Sequence, residues 1–216
     1  MNILITGKNS VVSKELYQLL KNKKKFKIFL STRKKFEQKK NILYINSNKK
    51  INIKKKIHTL IHCASNHPYT FSNKSKRKLE KENIAMCKKI NNFCNSNKVK
   101  KIIFISAINT YGTIEKKDIN EYYKAKKPKP SWYERSKLEG EKIFLNKKNN
   151  YKCICLRVPG IFTKDLSKDH PLIINLIKRL LKNSDIIAYN KNGLFNNIID
   201  TLEIYKIIII FLKKYQ

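Results

Sequence analysis

Met1-Asn2-Ile3-Leu4-Ile5-Thr6-Gly7-Lys8-Asn9-Ser10-Val11-Val12-Ser13 opens the chain. Asn2 to Thr6 reads as a short buried strand, and the residues after Ser10 as a helix running through Leu20. A strand, a tight turn and a helix together make an anion-binding unit, in which a glycine lets the backbone approach a pyrophosphate and the helix N-terminus supplies N–H donors. Only the first glycine of that fingerprint is present. Ser10 and Ser13 stand where the second and third are expected, and their hydroxyls are candidate phosphate donors. Gly7, Asn9, Ser10, Val11 and Val12 are therefore the candidate pyrophosphate contacts, against the alternative of an ordinary strand-to-helix turn.

Working outward, Phe26 to Ser31 reads as a second strand, Ile42 to Ile45 as a third, Ile57 to Cys63 as a fourth and Lys101 to Ser106 as a fifth. A long helix over about Lys78 to Asn97 carries Leu79, Ile84, Met86, Cys87, Ile90 and Phe93 as a buried stripe. Strands alternating with helices predict a doubly wound parallel α/β sheet with ligand at the strands' C-terminal ends. The second strand ends in Ser31-Thr32-Arg33 with no acid there. An acidic side chain at that place favours a free adenosine ribose hydroxyl and arginine a 2'-phosphate, so Arg33 favours NADP(H) over NAD(H), with a bland solvated loop as the alternative. His58, His62 and His67 read as structural histidines.

Ser131-Trp132-Tyr133-Glu134-Arg135-Ser136-Lys137 sets a tyrosine four residues before a lysine at the start of an amphipathic helix, on one helical face. An ammonium near a phenol favours phenolate, which suits proton transfer. By itself the spacing is weak in so lysine-rich a chain. Ser106 to Gly112 follows the fifth strand, where the ligand is expected.

Of the 49 basic residues behind the formal charge of +34, five are arginine, and the lysines run along all 216 residues. A phosphate-gripping surface concentrates arginine and interleaves aromatics, so no specific nucleic acid is expected and the charge serves at most to steer anions. No basic leader precedes the first strand, and Ile207 to Leu212 is too short to span a membrane. Cys63, Cys87, Cys94, Cys153 and Cys155 lack metal-ligand spacing, are odd in number, and read as buried small residues in a reducing, cytoplasmic setting.

Ile5-Thr6-Gly7, His62-x-Ala64, Asn83, Phe104-Ile105-Ser106 running to Tyr111-Gly112, Tyr133-x-x-x-Lys137, Leu156-Arg157-Val158-Pro159-Gly160 and Phe195 to Asp200 occur in an order and spacing that is specific as a set. On these the chain resembles the extended short-chain dehydrogenase/reductase superfamily, in its NAD-dependent epimerase/dehydratase family, over nearly its whole length. The resemblance implies a Rossmann-type domain over 1–159 and an abbreviated substrate region with a final sheet-packing helix over 160–216. It implies Tyr133 as acid/base, Lys137 holding the nicotinamide ribose and supporting the phenolate, and a hydroxyl after strand five, Ser106, polarising the substrate. It also implies Ala64 and Pro159 beside the cofactor, the latter lining the nicotinamide pocket. Hydride would pass between a substrate carbon and the nicotinamide, for epimerisation, dehydration or reduction of a nucleotide sugar or similar alcohol or carbonyl.

Two departures stand against the family pattern. Counted back from Tyr111-Gly112, the usual hydroxyl position is Ala107, with Ser106 one residue earlier on the opposite face of a strand. Either a kink redirects Ser106, or Thr110 substitutes, or the site is weakened. The chain also ends at Gln216, short of the family's usual substrate lobe, so that side is abbreviated, incomplete or supplied by a partner, with a homodimer left open. A charged loop from Glu115 to Lys129, with Pro128 and Pro130, is the expected cleft wall; Pro171 opens a helix to about Lys182, and Asp185 to Tyr189 a short strand. A cofactor-binding but catalytically silent sensor or scaffold is the alternative function.

Overall fold

Ile3, Leu4 and Ile5 are fully buried, which explains why β1 (Asn2–Thr6) is a continuous apolar run without alternation: both faces of the strand are covered. Burying each such side chain contributes about 1.5–3 kcal/mol. The computed structural model describes residues 1–45, 49–67, 74–112, 119–123, 131–162, 172–186 and 198–214. Around β1 lie β2 (Lys27–Thr32), β3 (Ile42–Tyr44), β4 (Thr59–His62), β5 (Lys101–Ala107) and β6 (Lys152–Val158). They form a six-stranded sheet in the order β3-β2-β1-β4-β5-β6. The β1/β2, β1/β4, β2/β3 and β4/β5 pairs are parallel, so the Rossmann-type doubly wound sheet expected from the strand–helix alternation is present. Strand order reverses between β1 and β4, and the crevice outside their C-terminal ends is where such sheets bind ligands.

Three helices connect these strands: α1 (Val11–Lys21), α2 (Lys76–Ser96) and α3 (Trp132–Phe144). Each begins after a serine, Ser10, Ser75 and Ser131, residues suited to capping the first N–H groups of a helix. At α3 the Ser131 N–H also donates to Glu134 Oε2 at 2.5 Å. α3 packs closely on β5 and α2 because Gly140 has no side chain: a Cβ there would stand 2.7 Å from Phe104 Cζ and 3.2 Å from Cys87 Sγ. The expected helix and strand bounds hold to within two residues in these elements.

The chain divides into compact units at Met1–Arg157 and Val158–Gln216. In the second, β7 (Gly160–Phe162) pairs in parallel with β8 (Ile198–Asp200), and the chain also forms α4 (Leu172–Leu181) and α5 (Thr201–Lys214). Asp200 Oδ1 accepts from the Glu203 N–H at 2.7 Å, capping α5. α5 buries Thr201, Ile204, Ile208, Phe211 and Leu212 at helical spacing, so Ile207 to Leu212 is part of an amphipathic helix. Asp185 and Ile186 lie in no strand, contrary to expectation, because the chain leaves α4 through a turn in which Arg179 holds the Asp185 carbonyl. The rest of that segment, Pro128, Pro130, Pro171, most of the 115–129 loop and Phe195 to Asn197 lie outside the described residues.

Candidate active site

Gly7 ends β1 with φ +80°, and a Cβ on it would lie 3.0 Å from both Cα and Cβ of Ala64. Glycine is therefore required twice, for the left-handed backbone and for the close approach of the β4 end. One hydroxyl joins these strand ends. Thr6 Oγ1 accepts from the N–H groups of Cys63 (3.2 Å) and Ala64 (3.1 Å), which fills its lone pairs. Its own proton then goes to His62 Nδ1 at 2.7 Å, which leaves the His62 proton on Nε2, 3.6 Å from Cys87 Sγ. His62 is fully enclosed, stacked on Phe104, and burial followed by the Lys137 charge pushes its pKa down to about 3. It is structural, as read from the sequence. Cys63 and Cys87 are both pushed up to about 12 by burial, so neither is a reactive thiol.

The serines in the turn are committed to the fold. Ser13 Oγ donates to the Thr6 carbonyl at 2.9 Å. Its only proton being used, Ser10 must be the donor in the 2.8 Å contact between the two hydroxyls, while Ser10 Oγ also accepts from the Ser13 N–H. Both hydroxyl protons are thus engaged within the turn itself. The backbone does supply donors. Ser10 N–H is used by the Gly7 carbonyl, whereas those of Asn9, Val11 and Val12 have no acceptor among the described residues.

At the start of α3, Trp132 is buried and Tyr133 half-buried. The Tyr133 ring meets His67 edge-on at 5.3 Å, and its hydroxyl has no hydrogen-bond partner among the described residues. One turn on, Lys137 is only 4% exposed. Its ammonium donates to the Ile105 carbonyl at 2.7 Å and lies 5.0 Å from the centre of the Phe104 ring and 5.5 Å from that of Tyr133. An ammonium has three donors. A buried lysine with one carbonyl, two aromatic faces and no carboxylate within ion-pair distance among the described residues is suited to receive ligand hydroxyls.

Ser106 makes no hydrogen bond to this pair among the described residues. It is buried and its hydroxyl donates to Glu141 Oε1 at 2.5 Å, as the alternation of the strand dictates, with no kink to redirect it. Thr110 donates to the Ala107 carbonyl at 2.7 Å, closing the turn after β5. Both hydroxyls near Ala107 are thus engaged by the protein itself. Glu141 also receives Arg157, through Nε at 3.0 Å and Nη2 at 2.7 Å, and the guanidinium lies 4.4 Å from the centre of the Tyr111 ring. Asn83, buried on α2, holds the chain after β4 through Asn66 (N–H to Oδ1, 2.7 Å) and reaches Ser136 Oγ at 3.1 Å, linking α2 to α3.

At the end of β2, Arg33 is exposed and its charge reaches Glu82 of α2. Glu37 was not singled out from the sequence, yet it folds back to accept the Thr32 hydroxyl at 2.5 Å. Pro159 directly follows β6 and is half-buried, in the second compact unit.

Sheet order, glycine turn and buried tyrosine–lysine helix together define an enzyme of the extended short-chain dehydrogenase type. The NAD-dependent epimerase/dehydratase family model matches residues 3–196, and the chain belongs to that family. Among solved structures it is similar to UDP-N-acetylglucosamine 4-epimerase from Bacillus cereus, at 17% identity and TM-score 0.79 over all of this chain and 74% of that one. UDP-glucuronic acid 4-epimerase from Bacillus cereus, in complex with UDP-glucuronic acid and NAD, is 18% identical with TM-score 0.79, over 98% of this chain and 73% of that one. The NAD-dependent NDP-hexosamine 5,6-dehydratase TunA is 15% identical with TM-score 0.75, over 96% and 70% of the two chains. No curated protein sequence matches. No helix among the described residues is long and apolar enough to cross a membrane.

Proposed function

We propose that this chain is an epimerase, dehydratase or reductase that acts on a nucleotide sugar or similar alcohol or carbonyl by reversible hydride transfer, with Tyr133 as the acid/base. The observation that carries the reading is the Tyr133–Lys137 pair, a phenol with no protein partner among the described residues beside a buried ammonium with donors to spare. The dinucleotide, when bound, supplies the hydride acceptor and donor. Gly7 and the free N–H groups of Asn9, Val11 and Val12 suit its pyrophosphate, Ala64 borders the same turn, and Lys137 suits the nicotinamide ribose. Residues 1–159 would then hold the cofactor and 160–216 contribute to the substrate side. Tyr133 would take the substrate hydroxyl proton on oxidation and return it on reduction.

Ala107 leaves Tyr133 without a hydroxyl neighbour from β5, since Ser106 and Thr110 are engaged elsewhere. Losing one donor that stabilises a developing charge commonly costs about 100-fold or more in turnover. That observation favours a second reading, a slow or silent NAD(P)-binding relative acting as a sensor or scaffold. Five free cysteines suit a reducing, cytoplasmic setting. Tyr133→Phe separates the two readings. An enzyme loses most turnover on UDP-sugars while dinucleotide affinity is retained; unchanged turnover removes Tyr133 from the chemistry, and binding without turnover in the unmodified protein supports the silent relative.

A further inference from the structure

Two nitrogen-bearing side chains lie against the Tyr133 ring, Lys137 from its own helix and His67 from the chain that leaves β4. His67 is half-buried and follows the C-terminal end of β4, the side on which such sheets bind ligands. A run of hydrogen bonds fixes its meeting with Tyr133. Asn83, buried on α2, accepts the Asn66 N–H at 2.7 Å and donates to the Asn66 carbonyl at 3.0 Å, so the residue before His67 is gripped at both of its backbone groups. The Asn66 side chain in turn donates to Glu82 Oε2 at 3.1 Å. The second amide proton of Asn83 goes to Ser136 Oγ at 3.1 Å, and Ser136 Oγ donates to the Tyr133 carbonyl at 2.7 Å. Asn66, Asn83 and Ser136 thus tie the backbone at His67 to the backbone at Tyr133. Packing of two rings asks for no such grip; a side chain that must meet a ligand at a set position does.

Oxidation of an alcohol at this site sends hydride from carbon to the dinucleotide and the hydroxyl proton to Tyr133, leaving a carbonyl; reduction reverses both. In either direction the oxygen passes through alkoxide character, which a second hydrogen-bond donor stabilises. From β5 and the turn after it none comes, because Ala107 has no hydroxyl and those of Ser106 and Thr110 donate to Glu141 and to the Ala107 carbonyl. An imidazole carries an N–H in either neutral tautomer. We propose that His67 donates its N–H to the reacting substrate oxygen, a catalytic residue that does from the β4 side what a hydroxyl at position 107 would do from β5. His67 keeps its proton throughout, so the proton balance stays with Tyr133. The inference rests on the reading above that Tyr133 is the acid/base of a hydride-transfer reaction. With His67 in this role, Ala107 no longer points to a silent protein.

The test compares the unmodified full chain, His67→Gln and His67→Phe for turnover of UDP-glucose with added NAD, and for NADH affinity by fluorescence titration. Glutamine keeps an N–H donor and loses the ring; phenylalanine keeps the ring against Tyr133 and loses the donor. Expected are a fall in kcat of about 100-fold in His67→Phe with NADH affinity unchanged, and a loss of less than about tenfold in His67→Gln. The reverse order, His67→Phe active and His67→Gln impaired, makes His67 a packing residue and overturns the inference while leaving Tyr133 in place. Equal effects in the two variants, or none, overturn it likewise. An unmodified protein that binds NADH without turnover overturns this inference and the enzyme reading together. Should His67→Phe fail to fold by circular dichroism, His67→Ala takes its place with the same expectation.

Discussion

Replacing Glu141 by leucine is expected to destabilise the first compact unit by about 2–3 kcal/mol. Glu141 is 4% exposed and takes three donors, Ser106 Oγ, Arg157 Nε and Arg157 Nη2. Deleting one partner of a buried ion pair costs about 3–5 kcal/mol. The Arg157 side chain is 25% exposed and keeps its contact with the Tyr111 ring, so water recovers part of its solvation and about 2–3 kcal/mol remains. A stranded Ser106 hydroxyl adds about 1 kcal/mol, and the leucine side chain returns about as much by its own burial. Urea unfolding at pH 7, followed by the fluorescence of Trp132, reads this directly, since the chain has one tryptophan and it is buried at the head of α3. Arg157→Met and the double variant complete a cycle in which the coupling should be about 1–2 kcal/mol. A loss below about 1 kcal/mol, or strict additivity, would refute the view that this pair ties β5, α3 and β6 together.

Gly140→Ala should cost about 1–3 kcal/mol in the same assay, because the added methyl meets the rigid Phe104 ring and Cys87; a neutral result would mean that α3 shifts freely on β5. Gly7→Ala should lose NADH binding in a fluorescence titration while circular dichroism shows a folded chain, since φ +80° costs a residue with a Cβ about 1–2 kcal/mol and Ala64 blocks the space. Retained affinity would place the pyrophosphate elsewhere. His62 is held neutral by burial, with its pKa down at about 3 against 6.5 when unfolded, so the unfolded chain binds more protons between those values and stability must fall as pH drops from 6.5 toward 3. The slope approaches about 1.4 kcal/mol per pH unit below 6.5. His62→Gln should flatten it between pH 6.5 and 5, above the carboxylate range, and parallel slopes for the two proteins would count against the assignment.

What could be read from the residues alone was whatever is local in the chain. The apolar run of β1, Gly7 after it and the one-turn spacing of Tyr133 and Lys137 each depend on neighbours within a few positions, and the structure has them as expected. Partners far apart in sequence were not legible. Ser106 meets Glu141 across 35 positions, and Thr6 meets His62 only because β1 and β4 are adjacent with those two residues in register. That Ser10 and Ser13 bond to each other and to the Thr6 carbonyl follows from the shape of the turn, which their identities alone do not give. Glu37 escaped notice because a glutamate five residues beyond a strand reads as solvated until a turn brings it back. Glu141 could have been found: it lies one helical turn beyond Lys137, on the same face, and Arg157 in an apolar strand asks for a partner.

Lys137 is held by the Ile105 carbonyl and by two rings. A free lysine side chain carries about 2 kcal/mol of rotamer entropy, most of which a ligand would have to quench on arrival. Here folding has already quenched it. The head group therefore meets whatever docks above it as a fixed positive pole, and none of the docking energy is diverted into arranging the lysine.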